Sequence, residues 1–191
     1  GSTDIQEELS GLTFNISPKS FFQTNPVQAE TLYQVALDFA DIQSTDVVYD
    51  LYCGTGTITC VAATKANKAV GVEIVEEAIE AAKENAKLNG IENTAFLAGD
   101  MKDVFNTDFY NLHGSPDIII TDPPRSGMHP KVVDYLLEIA CAKIVYVSCN
   151  PATQARDLEM MSSKYKVTKS RAVDMFPQTH HSENVVLLEL I

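Results

Sequence analysis

The residues of this sequence with the clearest capacity for chemistry each follow an apolar, strand-like run. Cys149 ends the run IVYVSC and is followed by an Asn-Pro pair, Asp122 opens the segment DPPRSG that contains Arg125, and Glu183 closes the segment HHSE. A thiolate can form a covalent intermediate, a carboxylate can accept a proton, and a guanidinium can bind a carboxylate, a phosphate or a base carbonyl. These types predict nucleophilic chemistry assisted by proton transfer.

A second set of polar residues follows other strand-like runs and favours cofactor binding. Gly54 and Gly56 form a GxG turn after the run VVYDL, and Glu73 ends the run AVGVE. The turn lacks the third glycine of a dinucleotide-binding motif, so by itself it is a weak signal. Glu73 would either accept hydrogen bonds from ribose hydroxyls or be a solvated acid. Asp100 would either approach an adenine edge or cap the following helix.

The chemical character of the turn favours one type of cofactor. Asp50 and Tyr52 line it in the sequence, and no basic residue accompanies them. A pyrophosphate favours a helix N-terminus with a basic group nearby. An acidic, aromatic turn suits a sulfonium cation with a zwitterionic tail better. We therefore expect S-adenosylmethionine.

The elements that must position these residues alternate along the chain. Apolar runs predict strands at residues 47–51, 69–73, 94–97, 117–121, 143–148, 166–175 and 184–191; amphipathic stretches predict helices at 26–40, 57–66, 75–89, 130–140 and 153–163. Such alternation is typical of a parallel sheet with helices on both faces, and the two final strands without an intervening helix predict an antiparallel hairpin at one edge. Ligands bind such sheets outside the carboxyl ends of the strands.

Length and composition predict a single α/β domain over residues 1–191. Hydrophobic residues make up 45% of the chain, and no apolar run approaches the roughly 20 residues of a membrane span. The chain begins with Gly-Ser rather than Met, so we expect a fragment of a longer protein. Its four cysteines form no CxxC pair, which predicts reduced thiols in the cytoplasm.

The net charge of −12 argues against strong electrostatic binding of nucleic acid by this segment alone. A local basic patch is still possible because charges are screened beyond about 8 Å at physiological salt. Six basic residues in the C-terminal part of the chain predict such a patch: Lys131, Arg156, Lys164, Lys166, Lys169 and Arg171.

The cysteines are expected to differ in role. Cys60 and Cys141 fall on apolar helix faces, so we expect both to be core residues. Cys149 ends a strand next to a bend, and its position near Arg125 and a helix N-terminus predicts a depressed pKa. Adjacent His180 and His181 lack further spaced ligands, so no metal site is expected.

Six segments in order resemble the RNA (uracil-5-)methyltransferases, and the resemblance covers nearly the whole chain. They are FFQTNPVQAETLY, DLYCGTGTIT, GVEI, DPPRSG, VSCNPATQARDL and DMFPQTHHSE. The resemblance implies a class I, Rossmann-like S-adenosylmethionine-dependent methyltransferase domain with a mostly parallel seven-stranded sheet. It also implies formation of 5-methyluridine in transfer or ribosomal RNA, with further N-terminal RNA-binding domains that this chain lacks.

The resemblance also implies roles for individual residues. Cys149 would be the nucleophile that adds to uracil C6, Glu183 the base that removes the C5 proton, and Arg125 a substrate or loop contact. Thr57 stands where many relatives have asparagine. The implied cofactor contacts are Gln23, Tyr52, Thr57, Glu73 and Asp122, with Asp100 as a possible addition.

Two other functions compete with this interpretation. A non-catalytic S-adenosylmethionine-binding module would keep the fold but would not need Cys149 and Glu183 together. A dinucleotide oxidoreductase is disfavoured by the missing third glycine. RNA cytosine-5 methyltransferases place a cysteine after the prolines of the DPP loop, and amino methyltransferases place an aromatic residue there, where this chain has Arg125.

Overall fold

The computed structural model describes residues 5–16, 25–179 and 182–191. Its strands are β1 (Ile5–Leu9), β2 (Leu12–Ile16), β3 (Val47–Leu51), β4 (Lys68–Glu73), β5 (Thr94–Ala98), β6 (Ile118–Thr121), β7 (Lys143–Ser148), β8 (Tyr165–Val173) and β9 (Glu183–Leu190). Its helices are α1 (Pro26–Ala40), α2 (Thr57–Ala63), α3 (Glu76–Leu88), α4 (Met101–Val104), α5 (Thr107–His113), α6 (Pro130–Ile139) and α7 (Pro151–Met161). No helix in these ranges is long and apolar enough to span a lipid bilayer.

Seven strands form one twisted sheet in the order β5-β4-β3-β6-β7-β9-β8. Strand β9 runs antiparallel to both of its neighbours, and the other neighbouring pairs are parallel. The chain order reverses between β3 and β6, which lie side by side. This topological switch point opens a crevice at the carboxyl ends of the strands. The predicted α/β fold with a C-terminal antiparallel hairpin is therefore confirmed.

Two apolar layers cover the sheet. Helices α1 and α2 and the side chains of Leu9 and Phe14 pack on one face, together with Val145, Val147 and Leu187 from the strands. Residues of α4 to α7 pack on the other face against Tyr49, Ile119 and Tyr146. Burial on both faces explains why β6 has the continuous apolar run IIIT rather than an alternating pattern.

Asn-Pro pairs begin two of the helices that flank the crevice. The Asn25 side chain accepts a hydrogen bond from the backbone N–H of Gln28, and proline occupies the first turn of α1. Asn150 caps α7 in the same way by accepting from the N–H of Ala152. Proline suits the first helical position because its missing N–H has no intrahelical partner there.

The sequence prediction omitted the N-terminal hairpin β1–β2 and the short helices α4 and α5. The hairpin turns at Ser10 and Gly11, both with positive φ, and it docks on α3 through two asparagines. Asn85 Oδ1 accepts from the N–H of Asn15 at 2.8 Å, and Asn89 bonds both the N–H and the carbonyl of Thr13. A Ser-Gly pair between alternating residues is a recognisable hairpin signal.

Candidate functional site

A cavity of about 760 Å³ opens at the carboxyl ends of the central strands. Residues at or shortly after the ends of β3 to β8, and the first residue of β9, form its wall. They are Tyr52, Gly54, Glu73, Ile74, Asp100, Met101, Asp122, Pro123, Pro124, Arg125, Cys149, Phe176 and Glu183. Seven of the nine site residues predicted from the sequence therefore meet in one cavity.

The turn after β3 is shaped by residues with positive φ. Tyr52 has φ 64°, a conformation that costs a bulky residue on the order of 1–3 kcal/mol and that places Tyr52 on the cavity wall. Gly54 has φ 51° with open space where a Cβ would lie, so the backbone is accessible to a ligand there. Gly56 serves packing instead, since a Cβ would lie 2.8 Å from Ala82 and 2.9 Å from Phe96.

Glu73 fixes that turn through hydrogen bonds to backbone donors. Its Oε2 accepts from the N–H of Gly54 at 3.2 Å. Its Oε1 accepts from the N–H groups of Ile74 and Val75 at 2.8 and 3.0 Å. Glu73 is therefore not merely a solvated acid. Its Oε2 accepts only one of these hydrogen bonds and has a further lone pair that can face the cavity.

Asp100 has the helix-capping role that was one of its two alternatives, and it also lines the cavity. Its side chain accepts from the N–H of Lys102 and forms an ion pair with the Lys102 ammonium at 2.7 Å. These two interactions with Lys102 lower the pKa of Asp100. A ligand at this position would meet a carboxylate that is already neutralised in part.

Among the described residues, two that were singled out in the sequence do not line the cavity. Thr57 is buried in the first turn of α2 and is not among the lining residues that the structure describes. Asp50 was expected to line the cofactor site, but it is fully buried beneath the turn and does not line the cavity. The Thr59 hydroxyl donates a hydrogen bond to it there at 2.6 Å. Gln23 lies outside the described residues, as do His180 and His181.

The loop after β6 is held by the first turns of α7. The Arg125 carbonyl accepts from Asn150 Nδ2 and from Thr153 Oγ1, each at 3.1 Å. Gly127 has φ 78°, and a Cβ there would lie 2.6 Å from both the Arg156 guanidinium and the Asp157 carboxylate. Asp157 is completely buried and accepts from the N–H of the next loop residue, Met128, at 2.8 Å. The DPPRSG and SCNPATQARD segments are thus one rigid unit.

Cys149 lies at the bend between β7 and α7, partly exposed on the cavity wall. The bend is closed by the Ser148 hydroxyl, which accepts from the N–H of Asn150 at 3.1 Å. Burial and the nearby Glu183 carboxylate raise the pKa of Cys149, and a hydrogen bond and the charge of Arg125 oppose this only in part. The predicted depression of this pKa was therefore wrong, because burial and Glu183 outweigh Arg125.

The other three cysteines are buried, which confirms the core role predicted for Cys60 and Cys141. Cys60 lies in α2 and Cys141 lies in the loop after α6 rather than on the helix, where its thiol bonds the Lys143 carbonyl at 3.2 Å. Burial raises the pKa of both thiols to about 12. Cys53 is also buried, and burial raises its pKa well above its usual range. Cys149 is therefore the cysteine with access to the cavity.

Glu183 is positioned by an amide clamp, which we define as the side chains of Gln154 and Asn184. The buried Gln154 donates from Nε2 to the carbonyls of Tyr146 and Asn184 at 3.0 and 3.2 Å. Its Oε1 accepts from Asn184 Nδ2 at 2.7 Å. The amide clamp therefore joins α7, the end of β7 and the start of β9. The elements that contain Cys149 and Glu183 are held in register by these three hydrogen bonds.

The cavity wall is electrostatically negative. Its described residues include four carboxylates (Glu73, Asp100, Asp122 and Glu183) and one guanidinium, Arg125. Burial, followed by the charges of Glu183 and Asp50, raises the pKa of Asp122 well above its usual range. Burial also raises the pKa of Glu183, whose Oε2 is buried with no hydrogen-bond partner within the described structure. Such a wall favours a cationic ligand. The Glu183 Oε2 atom can accept a hydrogen bond from a ligand.

The apolar part of the wall was missed by sequence reasoning. Ile74 and Met101 follow Glu73 and Asp100 directly, and Phe176 approaches from the loop after β8. Ile74 and Met101 could have been predicted, because each directly follows a residue that was predicted to contact the cofactor. Phe176 had no such signal, because its position depends on the sheet order at the far edge. These side chains provide surface for a flat aromatic ligand.

The six basic residues do not form one patch. Arg156 donates to Asp157 at 2.6 Å, and Lys164 donates to the Leu137 carbonyl at 2.7 Å. Lys131 lies on α6, whose buried residues pack on the face of the sheet opposite to α1. The prediction that all six belong to one patch was therefore wrong. Three of them, Lys166, Lys169 and Arg171, lie together on β8. Across the residues that the structure describes, no cluster of three or more His, Cys, Asp or Glu side chains could hold a metal ion.

Comparison with known proteins agrees with this geometry. The family model described as tRNA (uracil-5-)-methyltransferase matches residues 5–191. The chain belongs to this family. It is 56% identical over its full length to an uncharacterized RNA methyltransferase of Bacteroides thetaiotaomicron, and 57% identical over 98% of its length to one of Porphyromonas gingivalis.

A solved structure of a tRNA (uracil-5-)-methyltransferase also matches. The tRNA (uracil-54, C5)-methyltransferase of Pyrococcus abyssi, in complex with S-adenosyl-L-homocysteine, has a TM-score of 0.86 and 35% identity over 98% of this chain. The alignment covers 45% of that protein, and 42% and 41% of the two curated relatives. The chain thus spans about two fifths of the length of the curated relatives that it matches.

Proposed function

We propose that this domain transfers a methyl group from S-adenosylmethionine to C5 of a uridine in transfer or ribosomal RNA. The observation that supports this most directly is the presence of Cys149 and Glu183 on the wall of one cavity with Glu73 and Asp122. A nucleophile and a proton acceptor on one side of a cofactor-sized cavity fit covalent catalysis on a planar base. A module that only bound the cofactor would not need this pair.

The cavity suits the proposed cofactor in charge and in shape. Its four carboxylates and one guanidinium favour a sulfonium cation. Glu73, at the end of β4, can accept hydrogen bonds from ribose hydroxyls, and Ile74 and Met101 can pack beside the base of an adenosine. Tyr52 and Asp122 follow the two strands that flank the switch point, where such ligands bind. When bound, S-adenosylmethionine supplies an electrophilic methyl group.

The chain's own residues account for the remaining chemistry. The Cys149 thiolate adds to uracil C6, and the electron pair of the C5–C6 double bond moves to C5 and to the O4 enolate. C5 then attacks the methyl carbon, whose bond to sulfur breaks. Glu183 accepts the C5 proton, the double bond reforms, and the bond between C6 and the Cys149 sulfur breaks. The thiolate is thereby regenerated.

Arg125 can assist both the nucleophile and the enolate. Its hydrogen bond to Cys149 favours the thiolate, against the effects of burial and of Glu183. Its guanidinium also lines the cavity, where it can bind the developing enolate oxygen. The raised pKa of Glu183 suits a group that must accept a proton. The positive charge of Arg125 thus complements the negative charges of the Cys149 thiolate and the Glu183 carboxylate.

Methyl transfer with labelled S-adenosylmethionine and cellular RNA tests the proposal. The natural full-length chain should produce 5-methyluridine in digested RNA, identified by mass spectrometry, and mapping of the label should identify the RNA and the position. Cys149→Ala should abolish the product, whereas Cys141→Ala, which alters a cysteine remote from the cavity, should retain it. Binding of S-adenosylmethionine without any methylated uridine would refute the proposed function in favour of a binding module.

A further inference from the structure

The exposed edge strand β8 contains a concentration of positive charge. Residues 166–172 are all exposed, and the strand sequence YKVTKSRAV has three cations and no carboxylate. The chain as a whole has a net charge of −12. We define Lys166, Lys169 and Arg171 as the β8 row. Its charge is opposite in sign to that of the rest of the chain.

A β-bulge places all three members of the β8 row on one face of the sheet. The register with β9 shifts between Val167 and Lys169, so that one residue of β8 has no partner. Lys166 and Lys169 are three positions apart and would otherwise point to opposite faces, because side chains alternate along a strand. Residues directly opposite in an antiparallel pair share a face. The pairs are Lys166–Glu189, Lys169–Leu187 and Arg171–Val185.

The β8 row leads to the candidate active site. The next position on the same face is Val173, which lies opposite Glu183 on the cavity wall. Two residues of a strand span about 6.7 Å, so Arg171 is one such step from that position. Beyond the end of β8, Phe176 lines the cavity itself. A polymer bound along the exposed β8 row would therefore run towards the strand end at which the cavity opens.

The charges of the row are available to a ligand. The Lys169 ammonium lies 5.5 Å from the centre of the Phe39 ring on α1, which orients it without neutralising it. In the described part of the chain, the ion pairs do not include Lys166, Lys169 or Arg171. Glu189 lies opposite Lys166 and offsets its charge in part. Lys169 and Arg171 are therefore expected to contribute most.

We propose that the β8 row binds the phosphate backbone of the RNA whose uridine enters the cavity. The inference rests on the proposed function. A row of cations on one face of an otherwise acidic protein is complementary in charge to the phosphates of RNA. Phosphate contacts contribute affinity and fix the register of the RNA, but they do not recognise its bases. The row therefore guides the RNA along the edge of the sheet and leaves recognition of the uridine to the cavity.

The test compares two double variants of the natural full-length chain that remove equal charge. Lys169→Gln/Arg171→Gln alters the β8 row. Lys65→Gln/Lys87→Gln alters two exposed lysines on the half of the sheet near α2 and α3. RNA binding is measured as a function of salt, and methyl transfer at saturating and limiting RNA. Thermal unfolding establishes that both variants are folded.

The β8 variant should bind RNA more weakly, and the slope of log Kd against log salt should fall by about 2, one unit for each cation that no longer binds a phosphate. Its KM for RNA should rise while kcat is retained, and Arg171→Lys should behave nearly as the unaltered protein. The Lys65/Lys87 variant should retain both slope and KM. Equal reductions of affinity in the two variants would overturn the proposal. An unchanged slope in the β8 variant would also overturn it, and this is the result expected if another part of the protein covers β8. Failure of the proposed function is distinguishable, because the unaltered protein would then form no 5-methyluridine.

Discussion

The ionisation of Cys149 depends on two neighbours of opposite charge. Burial and Glu183 raise the pKa of Cys149, whereas Arg125 lowers it. We therefore expect Glu183→Gln to lower this pKa and to speed alkylation by iodoacetamide at a fixed pH. Arg125→Gln should raise the pKa and slow alkylation. The measurement is the rate of modification of the Cys149 peptide against pH, by mass spectrometry.

The buried cysteines provide an internal control for that experiment. Cys60 and Cys141 lie away from the cavity wall, and burial raises the pKa of each to about 12. Their peptides should react slowly in every variant. If Arg125→Gln sped the alkylation of Cys149, or Glu183→Gln slowed it, the electrostatic account of the nucleophile would be wrong.

Asp50 makes stability depend on pH. Burial raises its pKa to about 7, more than the Thr59 hydrogen bonds lower it. Because the folded pKa is above the unfolded value near 4, its contribution is favourable below about pH 4 and is lost as the pH rises through 7. At roughly 1.4 kcal/mol per unit, the loss is on the order of 4 kcal/mol at most. Asp50→Asn, which still accepts from Thr59, should unfold at higher temperature than the unaltered chain at pH 8 but not at pH 4.

Thermal unfolding of both proteins between pH 4 and pH 8 checks this prediction. Thr59→Val serves as a comparison, because it removes the hydroxyl donor and should raise the pKa of Asp50 further. A pH dependence of unfolding that is the same in Asp50→Asn and in the unaltered chain would show that Asp50 is not its source.

At the scale of elements, the amide clamp links β7, which ends just before Cys149, to β9, which begins at Glu183. Asn184→Asp removes the donor to Gln154 Oε1 while keeping the size of the side chain. A shift of Glu183 by about 1 Å can cost on the order of 100-fold in rate. We expect kcat to fall, KM for RNA to remain, and protein covalently bound to methylated RNA to accumulate, because removal of the C5 proton becomes slow.

Asn93→Ala is the matched control for the clamp. Asn93 also donates from a side-chain amide to backbone carbonyls, those of Ala63 and Ala66, but it lies at the amino end of the sheet. The variant should lose stability without accumulating the covalent species. Accumulation in Asn93→Ala, or its absence in an Asn184→Asp variant with reduced kcat, would show that the clamp contributes only to stability.

The elements that the sequence predicted well are those with local signals. Asn-Pro at 25–26 marked the start of α1, and uniformly apolar runs marked β6 and β7. Asn-Pro at 150–151 is the same signal, but the predicted helix began at 153, two residues after the observed start of α7. The bulge in β8 and the amide clamp had no such signal. The first depends on pairing with β9, and the second joins residues 30 positions apart. Long-range register is decided by the folded sheet and is not visible in a local pattern.

The same distinction applies to the site. Cys149, Asp122 and Glu73 were predictable because parallel strands bring their carboxyl ends to one edge of the sheet. The buried position of Asp50 was not, since the sequence of β3 is the same whichever face its aspartate takes. Neither was the raised pKa of Cys149, because burial is the largest cause of the increase and the local sequence does not show how deeply the thiol lies.

At the scale of the whole molecule, net negative charge limits RNA binding. The chain carries a charge of −12, and the β8 row is a small area of opposite sign. We expect the 191-residue chain alone to bind RNA with micromolar or weaker, strongly salt-dependent affinity. We propose that the natural chain, like the relatives that it matches, is longer and that its further segments contain RNA-binding domains, so it should bind more tightly. Fluorescence anisotropy at several salt concentrations measures both, and submicromolar, salt-insensitive binding by the short chain would contradict this expectation.

The most direct test of the central claim is trapping with RNA that contains 5-fluorouridine at the target position. Attack of Cys149 on C6 and methylation at C5 would leave no proton for Glu183 to remove, so the thiol could not be eliminated. The account predicts a denaturation-resistant complex whose mass equals protein plus methylated RNA, with the bond mapped to the Cys149 peptide, and no complex with Cys149→Ala. Methylation of ordinary uridine by Cys149→Ala at an undiminished rate, or a complex mapped to another residue, would contradict it.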